Sequence, residues 1–396
     1  MKFNYLTAGE SHGPALTGII EGIPAGLALT AEDIDRDLAR RQVGYGRGDR
    51  MKIENDRVRI LSGVRHGRTL GGPITLIVWN KDWENWTEIM GIEPSDDAGG
   101  DGGEKLSIPR PGHADLAGLL KFRHNDIRNV LERASARTTA MTVALGAVAR
   151  RLLAETGITV AGHVTAIGGI RADKGSDETD PARIEAGIGD SDLLCLDPTA
   201  AEGMRTAIDK AKEDGDTLGG SFRLLAAGVP PGLGSFTQPD RRLDGHIAGK
   251  IMAIQAIKAV AIGDGFAAVD TPGSEFHDPY ISKKGEIGRV SNRAGGIEGG
   301  ISNGEPITVH GYMKPIPTLV KPLDSVDLAS GEPVPAHHER SDVCAVPAAT
   351  VVAGSVFCLV LVEEMLHKFG GDSVSELLEN VGRHREWVDD RLHPGA

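Results

Sequence analysis

The chain has 396 residues, 40% of them hydrophobic and 25% charged, which allows one large domain or several smaller ones. A formal net charge of −13 argues against a general nucleic-acid-binding protein. Three widely spaced cysteines form neither a disulfide framework nor a zinc motif, and the N-terminus lacks the apolar core of a signal peptide, so we expect a cytoplasmic protein.

The first predicted element, a short strand over residues 5–8, leads into the loop Gly9-Glu10-Ser11-His12-Gly13. Glycine beside histidine lets the backbone turn sharply near a ligand, and histidine exchanges protons near neutral pH. The Gly-x-Ser-x-Gly spacing also fits the nucleophile elbow of serine hydrolases. That elbow follows several strands of a sheet, whereas at most one strand can precede Ser11, so we favour proton transfer over nucleophilic attack.

Residues 36–68 form a basic segment, with ten Lys and Arg against four Asp and Glu. Thr30, followed three residues later by Asp33, predicts a capping box at the start of an amphipathic helix. This helix brings Arg40 and Arg41 to the glycine-rich loop at residues 44–48. Charge alone fits a solvated face as well as an anion site, but the interspersed glycines favour a mobile arginine loop that closes over an anionic ligand.

Strands are predicted over residues 58–61 and 74–78, and Arg65-His66-Gly67 lies between them. This triplet resembles the phosphohistidine motif of histidine phosphatases. That family usually places it at the end of the first strand, near the N-terminus, whereas here it lies beyond residue 60. We favour a structural turn at His66 and keep a phosphatase as the alternative function.

A second histidine loop, Arg110-Pro111-Gly112-His113-Ala114-Asp115, follows an acidic, glycine-rich stretch at residues 93–103 that is predicted to be an exposed loop. Together, the two histidine loops predict a site that moves protons on a small molecule. The histidines are too far apart in sequence to indicate a metal site. Neither a P-loop nor a dinucleotide-binding fingerprint is present.

The central part of the chain predicts alternating helices and strands. Leu243, Ile247, Ile251, Ile254 and Ile257 recur at helical spacing and predict a helix that ends near Gly263. The other predicted elements are a mostly helical stretch over 126–156, strands over 158–170, a polar loop over 172–190, a helix over 200–213 and a strand over 221–227.

The last part of the chain contains an apolar run at residues 343–362 without a formal charge, long enough in principle to span a bilayer. Pro347, Thr350, Gly354 and Ser355 interrupt it, so we expect a buried helix and no membrane partner. Arg340 and Asp342 precede this helix, either as a capping ion pair or with Asp342 as a base. Without an interior linker, residues 1–382 are predicted to form one domain, followed by a charged, disordered tail at 383–396.

The motifs together resemble those of the chorismate synthase family, in the family's order, from residue 5 to about residue 372. The matching segments are 9–14, 40–50, 62–67, 110–115, 132–137, 215–220, 255–258, 263–266, 292–300, 314–318 and 340–347. Two departures are Thr138, where the family commonly has Glu, and Thr217, where it commonly has Ser. Neither touches the expected catalytic groups.

The resemblance implies a carbon–oxygen lyase that acts on phosphates. The family converts 5-enolpyruvylshikimate 3-phosphate to chorismate and phosphate by a 1,4-anti elimination, the last step of the shikimate pathway. The reaction requires reduced FMN without net redox change: the flavin lends an electron, phosphate leaves, and the C6 proton is lost to flavin N5. Because the chain lacks the long insertions of bifunctional members, we expect an external flavin reductase, with NADPH only as an indirect reductant.

The resemblance also assigns roles to individual residues. His12 matches the histidine that protonates the departing phosphate, and His113 the one that protonates reduced flavin, while Asp342, Ser11 and Ser135 match a relay that helps flavin N5 act as a base. The expected substrate ligands are Arg41, Arg47, Arg50, Arg110, Arg137 and Arg340. The expected flavin contacts are Arg133, Ala134, Ser135, Gln255, Ala256, Gly299, Lys314, Pro315, Ile316, Pro317, Thr318 and Arg340.

The fold implied by the resemblance is an α+β fold, a β–α–β sandwich in which antiparallel sheets enclose a helical layer, assembled as a homotetramer. The loosely similar order of helices and strands in the two halves of the chain adds an internal pseudo-repeat to this expectation. A third class of function, a non-catalytic protein that binds flavin or anions, would bind FMN and leave the substrate unchanged.

Overall fold

Two antiparallel sheets enclose a layer of helices in the computed structural model, which describes residues 2–47, 56–94, 105–175, 177–283, 285–337 and 341–394. The fold is therefore mixed α+β with antiparallel sheets, as predicted. The helices in the described residues are α1 Ala31–Gln42, α2 Asp115–Phe122, α3 Arg128–Ala134, α4 Thr139–Glu155, α5 Pro181–Ile188, α6 Pro198–Glu213, α7 Leu243–Met252, α8 Gly273–Phe276, α9 Val346–Phe369 and α10 Val374–Leu392.

Most strands belong to one of the two sheets, and the rest form small hairpins. The first sheet has the order β1-β2-β6-β3 and the second β10-β15-β9-β7-β8. The strands are β1 Asn4–Ala8, β2 Ala15–Glu21, β3 Val58–Ile60, β4 Val64–Arg65, β5 Arg68–Thr69, β6 Ile74–Trp79, β7 Thr159–Ile167, β8 Ile170–Arg171, β9 Gly220–Ala227, β10 Ile257–Ile262, β11 Tyr280–Lys283, β12 Glu286–Arg289, β13 Ile297–Glu298, β14 Ile301–Ser302, β15 Ile307–Met313, β16 Asp324–Val326 and β17 Pro333–Pro335.

Helices α4 and α9 form the centre of the molecule. Helix α4 packs on the first sheet, α9 packs on the second, and the two pack on each other. Small residues allow this close approach, because a Cβ atom placed on Gly146 would lie only 2.4 Å from Ser355 Cβ. Helix α9 is long and apolar enough to cross a membrane, but nearly all of its most apolar part is buried inside the protein. The prediction of a buried helix is confirmed.

The start of α1 follows from its local sequence. The Thr30 side chain accepts a hydrogen bond from the backbone of Asp33, and the Asp33 carboxylate accepts one from the backbone of Thr30. This reciprocal capping box satisfies two N–H groups that the first turn of a helix leaves without partners. The predicted capping box is confirmed, and α1 carries Arg40 and Arg41 in its last turn.

Two local predictions were wrong. The helix that begins at Leu243 ends at Met252, and Ile257 lies on strand β10, because the chain reverses at Ala256, whose φ is +66°. Residues 172–190 are not a continuous loop, because they include α5. Its first turn is capped by Asp180, which accepts from the backbone of Ala182, and its apolar side packs in the core.

The C-terminal segment also differs from its prediction, since α10 continues to Leu392 instead of giving way to a disordered tail at Arg383. The helix is tied to the rest of the protein beyond that point. His384 Nε2 lies 2.8 Å from the Pro231 carbonyl, and Arg385 donates to the carbonyls of Thr156 and Gly228. These contacts join distant parts of the chain, so the charged local sequence does not reveal them.

Candidate active site

A cavity of about 520 Å³ opens where the two histidine loops meet the start of α9 and the segment after β15. This volume is typical of small-molecule and cofactor sites. The cavity brings together most of the residues predicted from the sequence: Ser11, His12, Arg41, Arg47, Arg110, His113, Ala134, Ser135, Arg137, Gln255, Ala256, Lys314, Ile316, Pro317, Thr318 and Asp342.

Five other predicted site residues are not placed in the cavity wall. Arg50 and Arg340 lie outside the described residues. The Arg133 guanidinium donates to the backbone carbonyls of Thr7 and Gly9. Gly299 lies in the turn between β13 and β14, with a φ of +59°, and Pro315 lies between two lining residues.

His12 is held by Glu132, a residue of α3 that the sequence analysis did not single out. The His12 Nδ1 atom lies 2.9 and 3.0 Å from the two Glu132 carboxylate oxygens, and the His12 backbone N–H donates to one of them. Burial on its own raises the pKa of Glu132, but the hydrogen bonds from His12 outweigh it, so the net shift is downward. Trp86 stacks on the imidazole, with the ring centroids 3.7 Å apart.

His113 is held by Asp115, two residues further along the same loop. Its Nδ1 lies 2.5 Å from Asp115 Oδ1, while the Arg110 guanidinium donates to both Asp115 oxygens and to Thr318 Oγ1. Burial on its own raises the pKa of Asp115. The hydrogen bonds from His113 and Arg110 lower it by more than burial raises it, so the pKa lies well below its usual value. The Asp115 carboxylate is therefore ionised, and it is bonded to both the Arg110 guanidinium and the His113 imidazole.

The arginine side of the cavity depends on Asp56, another residue that the sequence analysis did not single out. Arg137 donates to both Asp56 oxygens at 2.7 Å, and Arg41 Nη1 lies 3.7 Å from the same carboxylate. Arg41 also donates to Thr139 Oγ1 and to the Ala136 carbonyl. These contacts fix two buried guanidinium groups in one place.

The predicted relay residues all lie in the cavity wall, in two separate contacts. Ser135 Oγ donates to Ser11 Oγ at 3.2 Å. Asp342 forms an ion pair with Arg47, whose Nε lies 3.0 Å from its Oδ2. The hydroxyl pair therefore lies beside the His12 loop, while the carboxylate faces the arginine loop.

The cavity wall contains more basic than acidic side chains, although the protein as a whole is acidic. Among the described residues, the wall contains the basic side chains of Arg41, Arg47, Arg110, Arg137 and Lys314, and a single carboxylate, that of Asp342. Arginine binds carboxylates and phosphates through paired hydrogen bonds. A ligand with several negative charges fits this wall.

The apolar part of the wall fits a flat aromatic ring with polar edges, as FMN has. It offers apolar side chains, including Leu131, Met313 and Ile316, beside the hydrogen-bonding groups of Gln255 and Thr318. The left-handed backbone of Ala256 costs energy in a residue that carries a side chain, and such strain is concentrated at functional sites. The residues present therefore fit the flavin.

The alternative motifs do not form sites. His66 lies in the turn of the hairpin β4–β5 with a φ of +50°, away from the cavity wall, so the predicted structural turn is confirmed. Ser11 is followed by strand β2, whereas a nucleophile elbow is followed by a helix. Neither the phosphatase nor the hydrolase interpretation gains support.

Comparisons with known proteins agree with each other over nearly the whole chain. The family model described as chorismate synthase matches residues 3–366. A chorismate synthase from Desulforudis audaxviator is 57% identical over 386 residues, covering 97% of each chain, and one from Shouchella clausii is 56% identical over 385 residues, covering 96% of this chain and 98% of its own. A crystal structure of chorismate synthase matches with a TM-score of 0.78 and 40% identity over 99% of both chains.

Proposed function

The chain belongs to the chorismate synthase family, and we propose that its cavity performs the 1,4-anti elimination of phosphate from 5-enolpyruvylshikimate 3-phosphate to give chorismate. This enzyme would be a carbon–oxygen lyase acting on phosphates, at the last step of the shikimate pathway. The observation that carries the proposal is one cationic cavity with two histidines, each held through Nδ1 by a buried carboxylate.

Substrate binding is the first task of the cavity. The substrate has two carboxylates and one phosphate, and the guanidinium groups of Arg41, Arg47, Arg110 and Arg137 offer paired donors to such groups. We assign them to the substrate anions, together with Arg50 and Arg340 from outside the described residues. The ion pairs with Asp56, Asp115 and Asp342 hold four of these side chains ready before substrate arrives.

Proton transfer is the second task. His12, bound at Nδ1 by Glu132, would protonate the departing phosphate from Nε2. His113, bound at Nδ1 by Asp115, would hold a proton at the end of the cavity formed by Lys314 and Pro317, since Lys314 Nζ donates to the Gly112 carbonyl. Ser11, Ser135 and Asp342 would complete the path for the proton that the substrate loses at C6.

We propose that Ala134, Ser135, Gln255, Ala256, Lys314, Ile316, Pro317 and Thr318 hold the flavin, with Arg133, Gly299, Pro315 and Arg340 as additional contacts. Bound there, reduced FMN would supply an electron that is recovered within the same turnover, which would explain a cofactor requirement without net redox change. An external flavin reductase would supply the reduced cofactor, with NADPH as its indirect electron source.

The surroundings of the enzyme complete the proposal. A cytoplasmic location fits the three cysteines, which are all buried and free. A homotetramer is the expected assembly. An internal repeat is supported by strand order. In chain order, β1, β2, β3 and β6 are first, second, fourth and third in their sheet. In the other sheet, β7, β9, β10 and β15 have the same relative order when the sheet is read from β7 and the short edge strand β8 is left out.

An anaerobic assay tests the function. The protein is incubated with 5-enolpyruvylshikimate 3-phosphate, with and without reduced FMN, and phosphate and chorismate are both measured. We expect both products only when reduced FMN is present. Phosphate release without flavin would identify a phosphatase, and FMN binding without product would identify a non-catalytic binding protein.

A further inference from the structure

Glu132 binds the His12 loop through both its side chain and its backbone carbonyl. Its two carboxylate oxygens accept from the His12 ring and from the His12 backbone N–H. Its own carbonyl accepts from the Ser11 backbone N–H at 3.0 Å. Helix α3 thus orients two consecutive residues of the loop through one side chain and one carbonyl.

The Glu132 carboxylate also selects which nitrogen of His12 carries the proton. Glu132 is only 2% exposed, and the hydrogen bonds from His12 keep its pKa low despite burial, so it accepts hydrogen bonds and donates none. The facing His12 Nδ1 must therefore carry a hydrogen. In the neutral imidazole this leaves Nε2, on the far side of the ring from Glu132, as the acceptor.

The ring plane of His12 is fixed independently. Trp86 covers one face of the imidazole, with an interplanar angle of 20° and a centroid distance of 3.7 Å. The hydrogen bonds to Glu132 prevent rotation of the ring, and the stacking prevents its tilt. The His12 imidazole is therefore held in one orientation before any ligand binds.

We infer that Glu132 is a positioning residue: it keeps one proton on His12 Nδ1, so that Nε2 is the nitrogen that takes up the second proton of the imidazolium and gives it to the phosphate of the bound substrate. This inference rests on the proposed function. Glu132 acts through His12, since it does not line the cavity itself. A comparable carboxylate–imidazole pair in serine proteases loses about 10⁴-fold in kcat when the carboxylate becomes an amide, because the wrong tautomer forms.

The chain offers a matched control. Glu364 is also buried and lies 2.6 Å from the Nδ1 of a histidine, His246, but neither residue lines the cavity. Glu132→Gln and Glu364→Gln make the same chemical change in the same kind of pair. Only the first should affect catalysis.

The test combines kinetics with a direct observation of the tautomer. For Glu132→Gln we expect kcat to fall by roughly 10²-fold or more with KM for the substrate within about threefold, and Glu132→Asp to recover part of the loss. Glu364→Gln should keep kcat within about twofold. Nuclear magnetic resonance of protein labelled with ¹⁵N in its histidine rings, with His12 assigned from the His12→Asn spectrum, should show Nδ1–H in wild type and a mixture in Glu132→Gln.

Three results would overturn the inference. They are an Nε2–H tautomer of neutral His12 in the wild type, a wild-type kcat in Glu132→Gln, and a loss of activity in Glu132→Gln with an unchanged tautomer. The wild-type spectrum tests the predicted tautomer of His12 even if Glu132→Gln does not fold. A wild-type protein that forms no chorismate at all would instead count against the proposed function.

Discussion

Asp56 accepts two hydrogen bonds of 2.7 Å from Arg137, one on each carboxylate oxygen, and both residues are buried. Arg41 lies against the same carboxylate. One acid therefore compensates two guanidinium groups in the cavity wall. A buried ion pair is costly to form, and removing one partner leaves an uncompensated charge.

We predict that Asp56→Asn lowers the free energy of unfolding by about 3–5 kcal/mol and raises KM for the substrate, because both arginines lose their counter-charge. Urea unfolding and steady-state kinetics measure the two effects. Asp192→Asn is the control, since Asp192 also binds an arginine through both oxygens but lies partly exposed, outside the cavity. Asp192→Asn should lower the free energy of unfolding by only about 1 kcal/mol. Equal losses for the two variants would contradict the claim that burial makes Asp56 the more important counter-charge.

Trp86 is predicted to support catalysis through its contact with His12. Trp86→Ala should lower kcat roughly 3- to 10-fold, because an aromatic pair contributes about 0.5–1.5 kcal/mol beyond the area it buries. Trp387→Ala removes the parallel but more distant ring partner of His384, with centroids 6.2 Å apart, outside the cavity wall, and should leave kcat unchanged. Stopped-flow measurement of chorismate formation compares them; a wild-type rate in Trp86→Ala would show that the stacking has no kinetic role.

His163 is predicted to make the protein less stable in acid. Burial, together with the charge of Arg223 on the neighbouring strand β9, lowers the pKa of His163 from 6.5 to about 4. His310, which lies opposite Arg223 on β15, adds to the shift. The unfolded chain therefore binds a proton below pH 6.5 that the folded protein resists. This contribution to stability is present above pH 6.5 and decreases as the pH falls toward 4, by about 3 kcal/mol in all.

Urea unfolding at several pH values measures this effect. His163→Gln should make the free energy of unfolding depend less steeply on pH between 6.5 and 4 than it does in the wild type. His393→Gln changes a partly exposed histidine near the C-terminus and should leave the slope as it is. A slope unaffected by His163→Gln would contradict the prediction.

The close contact between α4 and α9 predicts different effects on stability for two glycine substitutions. A Cβ atom on Gly146 would meet Ser355 Cβ at 2.4 Å, so Gly146→Ala should separate the helices and cost about 1–3 kcal/mol. A Cβ atom on Gly354, one residue before Ser355, would have only Arg150 Nη2 nearby, at 3.6 Å. Gly354→Ala should therefore leave the free energy of unfolding unchanged or raise it by up to about 1 kcal/mol. Thermal unfolding of both variants should show midpoints shifted in different directions or by clearly different amounts.

Local signals predicted what lies close together in the sequence. The capping box of Thr30 and Asp33 placed α1, and five strand segments were predicted close to their observed positions, whereas β2, β10 and β15 were not predicted as strands. Ile257 was misplaced because a helical spacing continued by chance through the turn at Ala256 into a strand. Only the tertiary structure, in which β10 pairs with β15, distinguishes the two possibilities.

In the candidate site, too, features formed by neighbouring residues were predictable, and contacts between residues far apart in the sequence were not. The glycine-flanked loops were visible in the sequence, and Asp115 could have been recognised from its position two residues after His113. Glu132 lies 120 residues from His12, and Asp56 lies 81 residues from Arg137, so no spacing rule links these pairs. They meet because the loop between β1 and β2, helix α3 and the turn before α4 come together at one cavity.

The most direct test of the account is the ratio of chorismate to phosphate formed from 5-enolpyruvylshikimate 3-phosphate under anaerobic conditions, measured in one sample with reduced FMN and in another without it. An elimination in the cationic cavity predicts equal amounts of the two products with reduced FMN and neither product without it. Phosphate without an equal amount of chorismate, or the same yield in both samples, would contradict the account.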